Sequence, residues 1–296
     1  MNTIEQAAKR LEELRRAGVD IPNINGAPQV ESNVAEPQIA SAQTTEPADS
    51  QTSSRHSRTV QLDMDAMRQA GLITPGAPRS RLEDEMRIIK RPLLDNIKGL
   101  SAAPVQSANL IMMTSALPDE GKTFCSINLA ISMAMELDHS VLLVEADVLR
   151  PSVLQRLGLQ QSRGLLDVLQ KPDTDLSEVL LKTDIPKLTL LPAGTAHGHS
   201  TELLASAGMD RLLAELATHY ADRIIIFDSP PLLPTTESRV LATKMGQVVM
   251  VVEAGKTTHD SIRQAFSTVE KCPVVMSVLN KYRGPKGASA YGYYAA

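Results

Sequence analysis

Tryptophan is absent from this 296-residue chain, and no aromatic residue of any kind occurs before Phe124. Cysteine is scarce. Cys125 and Cys272 lie far apart and match no metal-binding spacing. They read as reduced thiols of a cytosolic protein, which excludes a disulfide scaffold. Long apolar runs are also missing: none approaches the ~18 residues of a membrane span, and the N-terminus lacks a signal peptide's apolar stretch. The expected location is therefore cytoplasmic, with any membrane role supplied by a partner. Nor is there an excess of positive charge. Lys and Arg number 30 against 34 Asp and Glu, a formal charge of −4, which argues against a dedicated nucleic-acid binder.

What is present is unevenly distributed. Hydrophobic residues make up 43% of the chain, enough for a sizeable core. Residues 3–17 carry Ile4, Ala7, Ala8, Leu11 and Leu14 at helical spacing, stopped by Gly18. The stripe is narrow and suits either a short docking helix or a lone solvated one. Residues 19–80 are rich in Pro, Ser, Thr, Gln, Asn and Ala. Such a composition buries too little surface to offset ordering entropy, so a flexible linker is expected there, with at most a short local element near Val60–Gly71. From residue 81 the texture changes. An amphipathic helix, "RLEDEMRIIKRPLLDNI", precedes six continuous apolar runs that alternate with helical patterns: 109–115, 140–147, 187–194, 223–230, 247–255 and 273–280. Continuous Val/Ile/Leu-rich runs suit strands covered on both faces, hence a parallel α/β sheet wrapped by helices. The expected divisions are 1–18, 19–80, 81–281, and a tail, 282–296, that holds four of the five tyrosines: Tyr282, Tyr291, Tyr293 and Tyr294.

Three strand ends carry the candidate chemistry. "TSALPDEGKTF" follows a buried run and opens a helix. Backbone N–H groups at a helix start favour an anion. Lys122 is placed to reach outer phosphates, and Thr123 to hold Mg²⁺. The general phosphate-loop pattern asks for glycine where this chain has Ser115. In "VLLVEADVLRP", Glu145 and Asp147 stand two apart where the chain leaves the sheet; the alternative is an ordinary acidic turn. In "IIIFDSPP", Asp228 closes the most apolar run, a common place for a carboxylate that holds Mg²⁺ through water.

Together, "SALPDEGKT", "VEADVLRP", "IIIFDSPP" and the "YRGPKGASAYGYY" tail resemble the bacterial tyrosine kinases. These are relatives of the deviant-Walker P-loop ATPases that position chromosomes and septa. The resemblance covers residues 81–296 and is closest to the autokinases of exopolysaccharide/PEP-CTERM (XrtA-associated) loci. "LTLLPAGTAHGHSTELLAS" is similar to the family's segment leading into an E-L-L-x-S helix start.

The resemblance implies a P-loop NTPase fold and ATP:protein-tyrosine phosphoryl transfer. Pro118, Asp119, Glu120, Gly121, Lys122, Thr123 and Phe124 would form the phosphate loop, and Asn280 would read adenine. Thr123, Asp147 and Asp228 would hold Mg²⁺. Lys122, Glu145, Asp147 and Asp228 would be catalytic, with Glu145 accepting or orienting the phenol proton. Tyr282, Tyr291, Tyr293 and Tyr294 would be phosphoacceptors. Implied partners are a transmembrane polysaccharide co-polymerase that activates the kinase at the inner membrane, a cognate phosphatase, and further copies of the chain. Asp84-x-x-Arg87-x-x-Lys90 matches the pattern by which a family helix packs against its neighbour, with Lys in place of Arg.

Departures from the family pattern also stand out. Asp119 replaces a glycine; if the backbone there needs positive φ, Asp tolerates it better than most residues do. Glu145 replaces an aspartate, and Leu149 stands where an arginine is usual, with Arg150 next. Two rival readings remain. A positioning ATPase would usually need a second lysine at the loop start, which "MMTSALPDE" lacks, or a C-terminal amphipathic helix. A catalytically weak assembly scaffold is kept open by Asp119 and Glu145.

Overall fold

The computed structural model describes residues 58–283, apart from 172, 197 and 221. The N-terminal helix expected over 1–18 and Tyr291, Tyr293 and Tyr294 lie outside the described residues. In chain order the strands are Arg58–Val60 (β1), Leu110–Ser115 (β2), Ser140–Glu145 (β3), Leu181–Thr183 (β4), Leu188–Leu191 (β5), Arg223–Asp228 (β6), Gln247–Glu253 (β7) and Val274–Asn280 (β8). They form one sheet in the order β1-β4-β5-β3-β6-β2-β7-β8. All pairs are parallel except β4 with β5.

In β2, β3, β6 and β7 the continuous apolar runs are explained by burial on both faces; β8, at the sheet edge, is only partly buried. Leu110 and Met112 of β2 join one cluster with Leu142, Val144, Ile225 and Phe227. Their neighbours Ile111 and Met113 point the other way and join Val141, Leu143, Ile224 and Ile226. Helix Lys122–Ala134 packs on this second face and is buried almost all round. β2 lies between β6 and β7, with β3 beyond β6. The carboxyl ends of β2, β3 and β6 therefore open on one crevice, where parallel α/β sheets bind ligands.

The folded unit begins earlier than residue 81. β1 pairs with β4, placing Arg58 opposite Leu181. Leu62, Met67, Leu72 and Ile73 are buried in the same cluster as Ile111. Ile73 N donates to Asn128 Oδ1 at 2.8 Å, and Leu62 N to Asp184 Oδ1 at 3.2 Å. The short element expected near Val60–Gly71 is the helix Met64–Gln69. What local composition did not show is that this stretch is tied by hydrogen bonds to residues 55 and 122 positions away.

Helix Arg81–Ile97 starts at Ser80, whose Oγ accepts from Glu83 N at 3.2 Å, and passes through Pro92. Lys90 is not free to meet a neighbouring copy. It is buried, donating from Nζ to Ser132 O at 2.7 Å and pairing with Glu136 at 2.6 Å. Those groups belong to the end of helix Lys122–Ala134 and the turn after it, where a cation satisfies unpaired carbonyls. The Asp84–Arg87–Lys90 pattern is therefore intramolecular at its last position.

Candidate active site

The loop after β2 is shaped mainly by its own side chains. Ser115 Oγ donates to Leu117 O at 2.6 Å. The buried Glu120 carboxylate accepts from Leu117 N at 2.6 Å and reaches Glu253 N and Thr257 Oγ1 at the end of β7. Glu120 thus braces the loop from behind and does not line the cavity in front of it. Asp119 has φ 65° and an exposed side chain, so the tolerance that explains an aspartate at a glycine position is in use. Gly121 has φ 96° and starts helix Lys122–Ala134. A Cβ at Gly121 would lie 2.1 Å from Asn280 Nδ2. Glycine is required there both for the left-handed backbone and for this close approach.

In front of the helix start lies a cavity of about 860 Å³. Pro118, Asp119, Gly121, Lys122, Thr123 and Phe124 form its phosphate-loop wall. Asp147 faces them from the segment after β3, and Asn280 closes the end of β8. Lys122 Nζ pairs with Asp147 Oδ2 at 2.8 Å. Asn280 Nδ2 donates to Glu120 O at 2.9 Å, which ties the expected adenine-reading residue to the loop backbone. Sequence reasoning missed Arg150, Arg156 and Lys281, which also line the cavity. Arg156 sits on the short helix Val153–Arg156, too short to show a period.

The other two carboxylates are behind this wall. Asp228 is 1% exposed and accepts from Ser126 Oγ at 2.9 Å. Burial pushes its carboxyl up to about 6; Lys122, Thr123 and Ser126 oppose the rise, and Asp147 adds to it. Its backbone carbonyl accepts from Ala146 N at 2.8 Å and Asp147 N at 2.9 Å, which fixes the exit of β3. Glu145 is likewise 1% exposed. Its carboxylate accepts from Ser152 N at 2.5 Å, Val153 N at 2.6 Å and Ala193 N at 3.3 Å. Burial raises its pKa, and these N–H groups and Asp147 modify the rise. A carboxylate so engaged holds the Asp147–Ser152 loop in place and does not reach a phenol in the cavity, so the proton-accepting role expected of Glu145 is not supported.

Mg²⁺ takes hard oxygen ligands, keeps several waters and uses only one or two carboxylates beside substrate phosphates. Thr123 Oγ1, Asp147 and Asp228 fit that description. Asp228 lies close enough to feel both Lys122 and Thr123, while Asp147 holds Lys122. Among the described residues no cluster of three or more His, Cys, Asp or Glu could hold an ion by itself.

A protein-family profile described as an AAA domain (AAA_31) matches residues 110–278, more than half of the chain. Relatives matched include proteins named as bacterial tyrosine-protein kinases. The chain is 29% identical over 228 residues to tyrosine-protein kinase YwqD of Bacillus subtilis, covering 76% of this chain and 92% of YwqD. It is 31% identical over 220 residues to the putative tyrosine-protein kinase EpsB of Ralstonia nicotianae, covering 70% of this chain but 29% of EpsB. The VpsO kinase domain superposes with a TM-score of 0.53 at 28% identity, covering 68% of this chain and all of that domain. The chain belongs to this AAA-domain family, among its bacterial tyrosine kinases. The family's P-loop NTPase architecture is the one seen here: a mostly parallel sheet with the phosphate loop between a central strand and its helix.

Proposed function

We propose that the chain is an ATP-dependent tyrosine autokinase that phosphorylates its own C-terminal tyrosines and so regulates exopolysaccharide synthesis or export. One observation carries this reading: the Lys122–Asp147 pair and Thr123 stand at the mouth of a helix N-terminus, directly in front of the buried Asp228. Kinship with named tyrosine kinases supports it.

The loop amides and the start of helix Lys122–Ala134 would bind the phosphates of ATP. Lys122 would leave Asp147 for the outer phosphates, where developing charge is largest. Thr123, Asp147 and Asp228 would hold Mg²⁺, which neutralises charge on the phosphates when bound. Asp147 alone among the three strand-end acids lines the cavity. It is therefore the group that would accept the phenol proton as the tyrosine oxygen bonds to the γ-phosphorus and ADP departs. Glu145 contributes by holding the loop that carries Asp147.

The substrate end of the chain starts beside this cavity. Tyr282 is 54% exposed and follows Asn280 and Lys281, both of which line the cavity. From Tyr282 to Tyr294 the chain can span at most about 40 Å. That is enough for a tail to enter its own cavity or a neighbour's. Each phosphotyrosine adds about −1.5 to −2 charges, which would drive a modified tail from a site rich in carboxylates and phosphates. A ring-like homo-oligomer held by docked tails would then dissolve on phosphorylation, and a phosphatase would reset it. No helix among the described residues is long and apolar enough to cross a membrane. Action at the inner membrane would pass through a transmembrane co-polymerase partner.

The test is incubation with Mg²⁺-ATP, phosphotyrosine detection and mass in solution, on wild type and on a variant with Tyr291, Tyr293 and Tyr294 replaced by Phe. Wild type should become phosphorylated and disassemble; the variant should stay assembled, with phosphotyrosine confined to Tyr282. ATP hydrolysis without phosphotyrosine would favour the positioning-ATPase reading instead.

A further inference from the structure

Two consecutive carbonyls of the phosphate loop are held by the last residue of β8 and the residue after it. Asn280 Nδ2 donates to Glu120 O at 2.9 Å, and Lys281 Nζ donates to Asp119 O at 2.6 Å. Lys281 is anchored in turn by Glu253 at the end of β7, 3.1 Å away. Its ammonium is the main cause holding the Glu253 carboxyl below the usual range. Glu253 N and Thr257 meet the Glu120 carboxylate from the same side. The Asp119 carbonyl needs such a hold. Asp119 has φ 65°, a conformation that L-residues other than glycine adopt at a cost, and this carbonyl sets the direction of the amide that follows. Lys281 has φ 59°, so the backbone on both sides of the contact is in the left-handed region.

We propose that Lys281 is a positioning residue of the nucleotide site. Its ammonium pins the Asp119 carbonyl and so turns the loop amides toward the phosphates. The proposal rests on reading the cavity as a nucleotide site. It also makes the loop's shape depend on the course of the chain just before the tyrosine tail. Lys281 follows strand β8 in sequence, but only the fold brings it to a loop 162 positions earlier.

The experiment is calorimetric titration of the full chain with Mg²⁺-ADP, together with KM and kcat for ATP. The variants are Lys281→Met, Lys281→Asn and Lys281→Arg. Lys281→Asn keeps a residue at ease in the left-handed region but cannot reach Asp119. A charge-assisted hydrogen bond, discounted for partial exposure, leads to a rise of about five- to tenfold in Kd and KM for Met and Asn. The value of kcat should stay within about threefold, because Lys122, Thr123 and Asp147 are untouched. Lys281→Arg, which can still donate to the carbonyl, should recover most of the loss. Unchanged Kd in Lys281→Met or Lys281→Asn overturns the proposal. So does a weakened site in all three variants with a lowered Tm, since that marks a general folding role. Failure of wild type to bind Mg²⁺-ADP would remove the nucleotide reading itself and the proposal with it. Normal wild-type binding with normal variants removes this proposal alone.

Discussion

Lys122 Nζ and Asp147 Oδ2 lie 2.8 Å apart, with only 11% and 5% of their side chains exposed. The phosphate-loop lysine is therefore paired with a carboxylate from the end of β3, two strands away in the sheet, and nucleotide has to compete for it.

This pairing gives Lys122→Met two separable effects. Phosphotyrosine formation should fall by at least ~10²-fold, because a charge acting on the transition state is removed. Stability should fall by about 3 kcal/mol, because Asp147 is left buried without its partner. Adding Asp147→Asn should restore most of the stability and none of the activity. Thermal unfolding and phosphotyrosine blots on the single and double variants check both halves.

Asp228 gives a signed pH dependence. Burial raises its carboxyl from 3.8 to about 6. The protonated form is favoured in the fold, so the relative stabilisation is complete below pH 3.8 and is lost as pH rises through about 6. Linkage puts the loss at about 3 kcal/mol above that pH. Asp228→Asn should remove this dependence, so its Tm should gain on wild type between pH 5 and pH 8. Its kinase activity should be lost, while wild-type activity should rise through about pH 6 as the carboxylate forms. Parallel Tm curves for the two proteins across that range would contradict the assignment.

Glu145→Gln separates a positioning role from a proton-accepting one. An amide keeps one acceptor oxygen: if that oxygen stays with Ser152 N and Val153 N, the NH₂ faces the Ala193 N–H, and in the other orientation it faces Ser152 and Val153. A cost of about 1–3 kcal/mol is expected, with activity lowered only through loosening of the Asp147 loop. A wild-type Tm with activity abolished would return Glu145 to the role of base.

Gly121→Ala should abolish nucleotide binding. The added methyl would meet Asn280 Nδ2 and would have to adopt φ 96°. Strain of about 1–3 kcal/mol is expected together with displacement of Asn280 from the loop. Titration with Mg²⁺-ADP and a Tm measurement read both.

The sequence by itself determined the sheet's strands and the chemical residues at their ends. Six apolar runs became β2, β3, β5, β6, β7 and β8; in β2, β3, β6 and β7 burial on both faces keeps nearly every position apolar, while β8 is a half-exposed edge strand. Helix Arg81–Ile97 was legible because amphipathic periodicity is a local signal. Lys122, Thr123, Asp147 and Asp228 were visible as ends of such runs, and Asp119 as a residue suited to positive φ. Only the tertiary structure decided what those side chains touch. Glu145 and Asp147 stand two apart on one segment, yet Glu145 turns inward to three backbone amides and Asp147 outward to the cavity. Lys90 looked like a surface contact and is buried against Ser132 and Glu136. β1 and β4, three residues each, exist as strands through their pairing with each other and with β5. The physical reason is that burial and hydrogen-bond partners are set by how the chain closes in space: Lys90 meets Ser132, β1 meets β4, and Glu145 is turned inward by a loop seven residues on and by Ala193. A local pattern can say that a residue leaves a strand end, but not which way it faces when distant segments close around it.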